Sequence, residues 1–266
     1  MNTSIETDGG LRRLEVLGYQ IVNEPVERVA ATVCDQLDDG RQRTFVFLNP
    51  HSVVMAGQDP AMRTAVEQAS VVFCDGVGLT YAARLLKRAR LHRVYGYEFF
   101  TAFSRELSRR GRRRVFFLGG QPDSIAELIA RYRKEYPGVE VDAYAPPFRP
   151  KFSDVEIADM AARIEAFDTD VLWVGLGSPK QEKLLQPLMS RCHARSGAAI
   201  GAVFDFYTGR VPHSPQWVRR MGLQWAHRLL QEPARLWKRT FVSIPLFLAS
   251  VLRAWVRTPS DPRRAR

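Results

Sequence analysis

The sequence predicts an α/β fold built on a mostly parallel sheet with helices on both of its faces. Short apolar runs alternate with amphipathic segments along most of the chain, which is typical of strands followed by helices. Of the 266 residues, 45% are hydrophobic, enough for a large core, and no Gly/Ser/Pro-rich linker divides them. Strands alternating with helices pair in parallel through right-handed crossovers. We expect residues 11–210 to form one domain.

The strands are predicted from short runs of β-branched and aromatic residues, and the helices from apolar residues at three- and four-residue spacing. The predicted strands are residues 14–22, 44–48, 71–74, 114–118, 139–144, 171–174 and 198–206. The predicted helices are residues 25–37, 53–66 with a break near 57–60, 79–86, 99–107, 123–136, 153–167 and 178–194. Ser153 opens a capping box, while Ser178 and Pro179 suit an N-cap and a first helical position.

Polar or glycine residues follow five of the predicted strands. They are Asn49, Asp75, Gly119 with Gly120, Gly175 with Gly177, and Asp205. The carboxyl ends of the strands in a doubly wound sheet share one edge, and ligands bind in the crevice there. Core packing does not require such residues to recur on one side of a sheet. The recurrence therefore predicts a binding crevice.

The turn from Gly175 to Gly177 leads into a helix start that carries Lys180, Gln181 and Glu182. Free N–H groups and the positive end of a helix dipole would suit a phosphate or another anion. A tight turn whose glycines only relieve crowding explains the same pattern equally well. The absence of G-x-G-x-x-G weakens a nicotinamide or flavin interpretation.

Asp75 is the candidate for acid–base chemistry, because it follows four apolar residues and would stand at the mouth of the crevice. A cap on the next helix is an equally supported role for it. Asp205 allows the same two roles with less support, and Asn49 could bind a ligand or hold its own turn. The histidines and cysteines are scattered, and D-x-D and G-x-S-x-G are absent, so we expect no metal, no other cofactor and no serine triad.

The net charge of +11 is concentrated near the end of the chain. From Arg219 onward there are eleven Arg or Lys residues against two acidic ones, and four of the five tryptophans fall in the last fifty residues. An uncharged run over residues 240–252 is shorter than the ~20 residues that cross a bilayer. We expect residues 211–257 to form a helical appendage that docks on an anionic membrane. Packing on the domain or on a partner subunit is the alternative.

The N-terminus is polar and contains Glu6 and Asp8, unlike a signal peptide. We therefore expect a protein that stays in the cytoplasm, with residues 1–10 and 258–266 disordered. Pairing with a second copy is left open by the residue pattern. A nucleic-acid partner is not expected, although a basic tail could bind RNA through charge alone.

The chain resembles the WecG/TagA/CpsF glycosyltransferases, glycosyltransferase family 26, from about residue 14 to residue 238. The matching motifs are residues 48–50 (LNP), 75–78 (DGVG), 93–96 (RVYG), 117–120 (FLGG), 175–182 (GLGSPKQE), 205–209 (DFYTG) and 222–235 (GLQWAHRLLQEPAR). The resemblance implies a Rossmann-like fold and an inverting, metal-independent hexosyltransferase. It would move a sugar from a UDP-sugar to a polyprenyl-diphosphate-linked saccharide in surface polysaccharide synthesis.

The resemblance also implies roles for particular residues. Asp75 matches the family's proposed general base, and Gln181 a glutamine lining the same pocket. Arg228, Arg235 and Lys238 match basic tail positions thought to neutralise the UDP diphosphate at the inner face of the membrane. Phe47 stands where the family often has threonine, so N-acetylmannosamine is not assumed as the donor sugar. A membrane-docked nucleotide-binding protein without transferase activity is the alternative function.

Overall fold

The computed structural model describes residues 5–7, 10–111, 113–215, 217–218 and 221–257. A small antiparallel sheet precedes the main domain and contains β1 (Ile5–Thr7), β2 (Leu11–Val16) and β3 (Tyr19–Val22). Strand β1 lies inside the range 1–10 for which the sequence predicts disorder. Disorder is also predicted for residues 1–4, 8–9 and 258–266, which lie outside the described part of the chain.

Residues 14–22 form a hairpin rather than the single predicted strand. Leu17 and Gly18 both have positive φ angles, +52° and +85°, which place a tight turn between β2 and β3. Leu14 and Val16 then pair with Ile21 and Tyr19 in antiparallel register. The apolar pattern continues across the turn, which is why it predicted one strand.

The main sheet contains six parallel strands. They are β4 (Arg43–Leu48), β5 (Val71–Cys74), β6 (Arg113–Gly119), β7 (Val139–Tyr144), β8 (Val171–Gly175) and β9 (Ser196–Ala199). Their spatial order is β5-β4-β9-β8-β6-β7, so the last strand of the chain lies in the middle of the sheet. The predicted parallel α/β sheet is confirmed.

Helices cover both faces of this sheet, as predicted. The helices of the domain are α1 (Val26–Asp35), α2 (Pro50–Gln58), α3 (Pro60–Glu67), α4 (Val77–Lys87), α5 (Gly96–Arg110), α6 (Ile125–Glu135), α7 (Asp154–Ala166), α8 (Lys180–Met189) and α9 (Val203–Tyr207). Helices α2, α3, α4, α7 and α8 bury apolar side chains on one face, and α1, α5, α6 and α9 on the other.

Two predicted elements around the last strand are corrected by the structure. The predicted strand 198–206 ends at Ala199, and after a turn at Gly201 the chain forms α9, so Asp205 lies on a helix. Helix α8 has Pro179 as its N-cap and ends at Met189, so Ser178 is not the cap and residues 190–194 are not helical.

The C-terminal part contains α10 (Gln224–Gln231) and α11 (Pro233–Arg257), which lie within the segment 211–257 that the sequence predicts to be helical. Residues 240–257 of α11 are long and apolar enough to cross a membrane, by length and composition alone. Ser243, Phe247 and Val251 are nevertheless buried, and α11 packs against α2 and α4. One face of this helix therefore lies on the domain.

Candidate active site

Three chain segments meet at the carboxyl end of β5. The N–H of Asp75 donates to the carbonyl of Leu48 at 2.8 Å, which places Asp75 beside the end of β4. The N–H of Val94 donates to the carbonyl of Cys74 at 2.9 Å, which brings the segment before α5 to the same point. The predicted strand-end residues Asn49 and Asp75 are thus neighbours at one edge of the sheet.

Asn49 and Asp75 differ in what they do for the helices that follow them. The Oδ1 atom of Asn49 accepts a hydrogen bond from the N–H of Ser52 at 3.0 Å and caps α2. The N-cap of α4 is Gly76, at a φ of +103°, and not Asp75. Asp75 is half-buried at the turn before α4. Asp75 is therefore not the N-cap residue of α4, and its role in acid–base chemistry stays a prediction.

Gly119 and Gly175 bring the ends of β6 and β8 close together. A Cβ atom on Gly119 would lie 2.4 Å from the carbonyl oxygen of Gly175, and the φ of Gly119 is +110°. The N–H of Gly120 donates to the same oxygen at 3.3 Å. A Cβ atom on Gly175 would lie 2.6 Å from the ring of Phe204. These glycines have a packing function, whereas no atom lies within 4 Å of the Cβ position at Gly177.

Gln181 joins the two loops that follow the central strands β8 and β9. Its Oε1 atom accepts hydrogen bonds from the N–H groups of Gly177 at 3.1 Å and Gly201 at 2.9 Å. Its Nε2 atom donates to Oε1 of Glu182 at 3.1 Å, and both side chains are buried. The two residues therefore set the shape of the loops at the crevice.

Lys180 lies at the start of α8 and contacts the loop that precedes α7. Its ammonium group donates to the carbonyl of Arg149 at 2.7 Å and lies 4.7 Å from the centre of the Phe148 ring. Partial burial lowers the pKa of Lys180. This lysine is held by the loop in the structure, and a contact with a ligand stays a prediction.

The basic tail reaches the domain near Asp205. The guanidinium of Arg228 lies over the ring of Phe206, 5.1 Å from its centre, and 4.0 Å from the carboxylate of Glu232. The imidazole of His213 stacks on Phe206 at 5.2 Å. Arg228 is thus placed against α9, the helix that carries Asp205.

The other two basic residues of the predicted diphosphate site are Arg235 and Lys238. Both lie in the first turns of α11. Their side chains lie outside the described part of the structure. Of the three residues of the predicted diphosphate site, only Arg228 therefore has a side chain in the described part of the structure.

Two contacts that join α11 to the strand-end loops were missed by the sequence reasoning. The Nδ1 atom of His51, two residues after Asn49, lies 2.8 Å from the Oγ atom of Ser243. A Cβ atom on Gly78 would lie 3.3 Å from the ring of Phe247, so these two residues pack closely. A buried serine in an otherwise apolar run was the signal for the first contact.

Among the residues that the structure describes, no group of three or more His, Cys, Asp or Glu side chains could hold a metal ion. The carboxyl edge of the sheet carries a half-buried carboxylate, Asp75, and the guanidinium of Arg228 lies against α9. Such a site can accept a proton and bind an anionic group.

The chain is similar in sequence to known glycosyltransferases. The chain matches the glycosyl transferase WecG/TagA/CpsF family over residues 14–261. A relative from Bacillus spizizenii strain W23 is 30% identical over 217 residues, which cover 82% of this chain and 81% of the relative. A relative from Bacillus subtilis strain 168 is 27% identical over 209 residues, 77% of each chain. Both are named N-acetylglucosaminyldiphosphoundecaprenol N-acetyl-beta-D-mannosaminyltransferase.

These matches cover nearly all of the parallel sheet and the helices that surround its carboxyl edge. They favour a transferase over the alternative of a nucleotide-binding protein without activity. The chain belongs to the WecG/TagA/CpsF family of glycosyl transferases.

Proposed function

We propose that this glycosyltransferase moves a sugar from a UDP-sugar to a polyprenyl-diphosphate-linked saccharide, with inversion at the anomeric carbon and without a metal ion. The acceptor class is supported by the relatives, whose names specify a saccharide on diphosphoundecaprenol. The observation that carries the proposal is the position of Asp75, which follows β5 and lies two residues before α4, the helix on which the C-terminal helix packs. This position puts a candidate base beside a helix suited to a lipid surface.

In the proposed reaction, the Asp75 carboxylate takes the proton of the acceptor hydroxyl. The hydroxyl oxygen forms a bond to the anomeric carbon of the donor from the face opposite UDP. The bond from that carbon to the diphosphate oxygen breaks, and UDP leaves with the electron pair. A positioned general base contributes typically 10²–10⁴-fold to such a step.

The leaving diphosphate needs positive charge, which we assign to Arg228, Arg235 and Lys238. Arg228 is supported by its contact with Phe206 on α9, which places a guanidinium against the domain. Preorganised cations at a developing negative charge are a large source of transition-state stabilisation. With these residues in place, the reaction does not require a bridging metal.

We place the enzyme on the cytoplasmic face of the membrane as a peripheral protein. Phe241, Leu248 and Leu252 are exposed on α11, whereas Ser243 and Phe247 are buried against the domain. A helix with one face on the protein and an apolar face in solvent fits a position along the bilayer surface. This arrangement fits less well with a helix that crosses the bilayer, because lipid would then surround the helix on all sides.

The donor sugar stays unassigned, and Phe47 is the reason. Its ring is buried and stacks on Phe73 at 4.9 Å between ring centres, directly below the strand ends that carry Asn49 and Asp75. A threonine at this position would offer a hydroxyl and less volume. The N-acetylmannosamine in the names of the relatives is therefore one candidate among UDP-sugars.

The first experiment measures UDP release by the full-length protein with a panel of UDP-sugars, with and without a short-chain lipid-diphosphate saccharide. Release that depends on one donor and on the acceptor would establish the reaction and its donor. Measurable UDP binding without release from any donor, even with the acceptor present, would contradict the proposed reaction.

The second experiment tests the base with Asp75→Asn. We expect turnover to fall by about 10²–10⁴-fold, because the amide cannot accept the proton, while UDP binding stays near the wild-type value. Asp159→Asn, which alters a surface carboxylate on α7 paired with Arg163, is the matched control. Unchanged turnover of the Asp75 variant would refute the assignment.

A further inference from the structure

Helix α4 exposes two large apolar side chains that the proposed reaction does not use. Tyr81 is 60% exposed and Leu85 is 50% exposed. They are four residues apart and therefore lie on one face of the helix. Exposed apolar side chains that cluster on one face mark an interaction surface more often than scattered ones do.

This face lies beside the C-terminal helix. Gly78 is three residues before Tyr81 and seven before Leu85, so all three share one face of α4. Gly78 packs against the ring of Phe247, where a Cβ atom would come within 3.3 Å of it. The exposed part of α4 is therefore continuous with α11, whose outer face carries the exposed Leu248 and Leu252.

The charged residues of α4 itself are all basic, and Glu15 on β2 pairs with one of them, Lys87, at 3.4 Å. Helix α4 contains Arg84 and Lys87 and no acidic residue, and Arg88 follows it directly. Arg84 and Arg88 are exposed. Apolar side chains next to exposed arginines suit the headgroup region of an anionic bilayer, where long basic side chains keep their charge among the phosphates.

We propose that α4 is a second membrane-contacting element, in which Tyr81 and Leu85 enter the headgroup region of an anionic bilayer beside α11, with Arg84 and Arg88 on its lipid phosphates. This inference rests on the peripheral membrane position proposed above. Two helices in contact with one bilayer fix the orientation of the domain, which one helix cannot do alone.

The consequence for the reaction concerns the height of Asp75 above the membrane. Asp75 is two residues before α4 begins at Val77. With a rise of 1.5 Å per residue, Tyr81 and Leu85 lie roughly 6 Å and 12 Å along the helix from Val77. Contact of α4 with lipid would hold Asp75 close to the headgroups, where the diphosphate of a lipid-linked acceptor lies.

The test measures co-sedimentation of the full-length protein with vesicles of phosphatidylcholine containing phosphatidylglycerol. Tyr81→Ser combined with Leu85→Ser should weaken vesicle binding by about tenfold, because two apolar side chains no longer enter the interface. Phe148→Ser combined with Val155→Ser is the matched control, because both residues are more exposed still and lie around the start of α7. The control should bind like the wild type.

A second readout locates the helix directly. Leu85→Trp should show fluorescence quenching by brominated lipids beyond that of the wild-type tryptophans, and Val155→Trp should not. Equal vesicle binding of the Tyr81 and Leu85 variant and the wild type, or no added quenching in Leu85→Trp, would overturn the proposal. A wild-type dimer that this double variant converts to a monomer would assign the face to a second copy instead.

The α4 proposal and the proposed reaction fail in different experiments. Turnover of a soluble short-chain acceptor should be the same in the double variant and the wild type, because Tyr81 and Leu85 lie outside the proposed catalytic residues. Loss of that turnover would show that α4 acts on the site rather than on lipid, and would overturn the α4 proposal. Absence of turnover in the wild type would instead contradict the proposed reaction and leave the vesicle results to decide the role of α4.

Discussion

Gly119 and Gly177 show how two glycines in a ligand-binding edge can have different physical roles. Both have positive φ angles, +110° and +80°. A side chain on Gly119 would collide with the carbonyl of Gly175, whereas the position at Gly177 is open. A glycine kept for close backbone packing tolerates no Cβ atom, while one kept only for its φ angle tolerates one at a small cost.

The two alanine variants should therefore differ in stability. We expect Gly177→Ala to lower the free energy of unfolding by about 1–2 kcal/mol, the cost of a left-handed conformation in a residue with a Cβ atom. Gly119→Ala should lower it by about 2–5 kcal/mol, because overpacking adds to that cost. Urea denaturation of both variants checks the difference. Equal destabilisation would mean that the β6 and β8 ends separate easily.

Single residues also mark the limit of what the sequence could predict about the site. Asn49 and Asp75 were predicted as neighbours because each follows a buried parallel strand, and the structure places them together. The bridge that Gln181 makes to Gly177 and Gly201 could not be predicted, because Gly201 is twenty residues away. Asp205 was placed at a strand end because it follows the uncharged run from Ala198 to Phe204, and such a run does not distinguish a strand from a short helix.

At the scale of elements, a polar contact within an apolar interface helps to hold α11 to the domain. Ser243 is buried and lies 2.8 Å from the ring nitrogen of His51 on α2. Ser250 lies two turns further along the same helix, and its hydroxyl donates to the carbonyl of Phe247 within the helix. The two serines differ mainly in whether the hydroxyl reaches another element.

Ser243→Ala should therefore loosen the docking of α11 by about 1 kcal/mol, the usual worth of an intramolecular hydrogen bond. Amide hydrogen exchange over residues 243–251 should become faster in this variant, because local opening costs less free energy. Ser250→Ala is the control and should exchange like the wild type. Equally fast exchange in both variants would show that the bond to His51 does not hold the helix.

A second element, the N-terminal hairpin, is tied to α1 through Glu24. This carboxylate is fully buried and accepts from Nε of Arg12 on β2 at 2.8 Å, with Arg28 of α1 at 3.4 Å. The hydrogen bond from Arg12 holds the pKa of Glu24 below its ordinary value. Ionised Glu24 therefore stabilises the fold above the ordinary glutamate pKa of about 4.3, and this stabilisation is lost as the pH falls through the lower folded-state value.

Glu24→Gln should be less stable than the wild type at pH 7 by about 1–2 kcal/mol, because two charge-assisted bonds are weakened. The difference in free energy of unfolding between the wild type and this variant should become smaller as the pH falls below about 4, because the wild-type carboxylate is then protonated and loses its charge. Urea denaturation at several pH values between 7 and 3 measures this difference, and Glu27→Gln, which changes an exposed glutamate, is the control. A gap that does not depend on pH would contradict a charged Glu24 in the fold.

For the whole molecule, the parallel sheet could be predicted but the order of its strands could not. The strands β4, β5, β6 and β8 each contain an uninterrupted run of four apolar residues, so they reveal burial on both faces and nothing about their neighbours. The last strand, β9, lies between β4 and β8. This placement depends on how the crossover helices pack, which local periodicity does not encode. It brings the loops after β4, β8 and β9 together at the crevice.

The distribution of charge is the second property of the whole molecule, and it separates two roles for the basic tail. Eleven of the 39 Arg and Lys residues lie from Arg219 onward. Some of them we assign to the UDP diphosphate, and the others to anionic lipid. Each Lys or Arg near an anionic surface contributes about 1 kcal/mol, and that contribution falls off within a Debye length.

Salt should weaken the binding of the tail to anionic lipid far more than its binding to the UDP diphosphate. Between 0.1 M and 1 M salt the Debye length falls from about 10 Å to about 3 Å, and contacts partly closed off from solvent are screened less than exposed ones. We expect binding to phosphatidylglycerol vesicles to fall by more than about tenfold over this range, because several exposed charges lose their attraction together. Turnover of a soluble short-chain acceptor should change much less. Binding to pure phosphatidylcholine vesicles is the control, and its salt dependence should be small. If soluble turnover falls as steeply as vesicle binding, the tail charges act chiefly at the diphosphate rather than at the membrane.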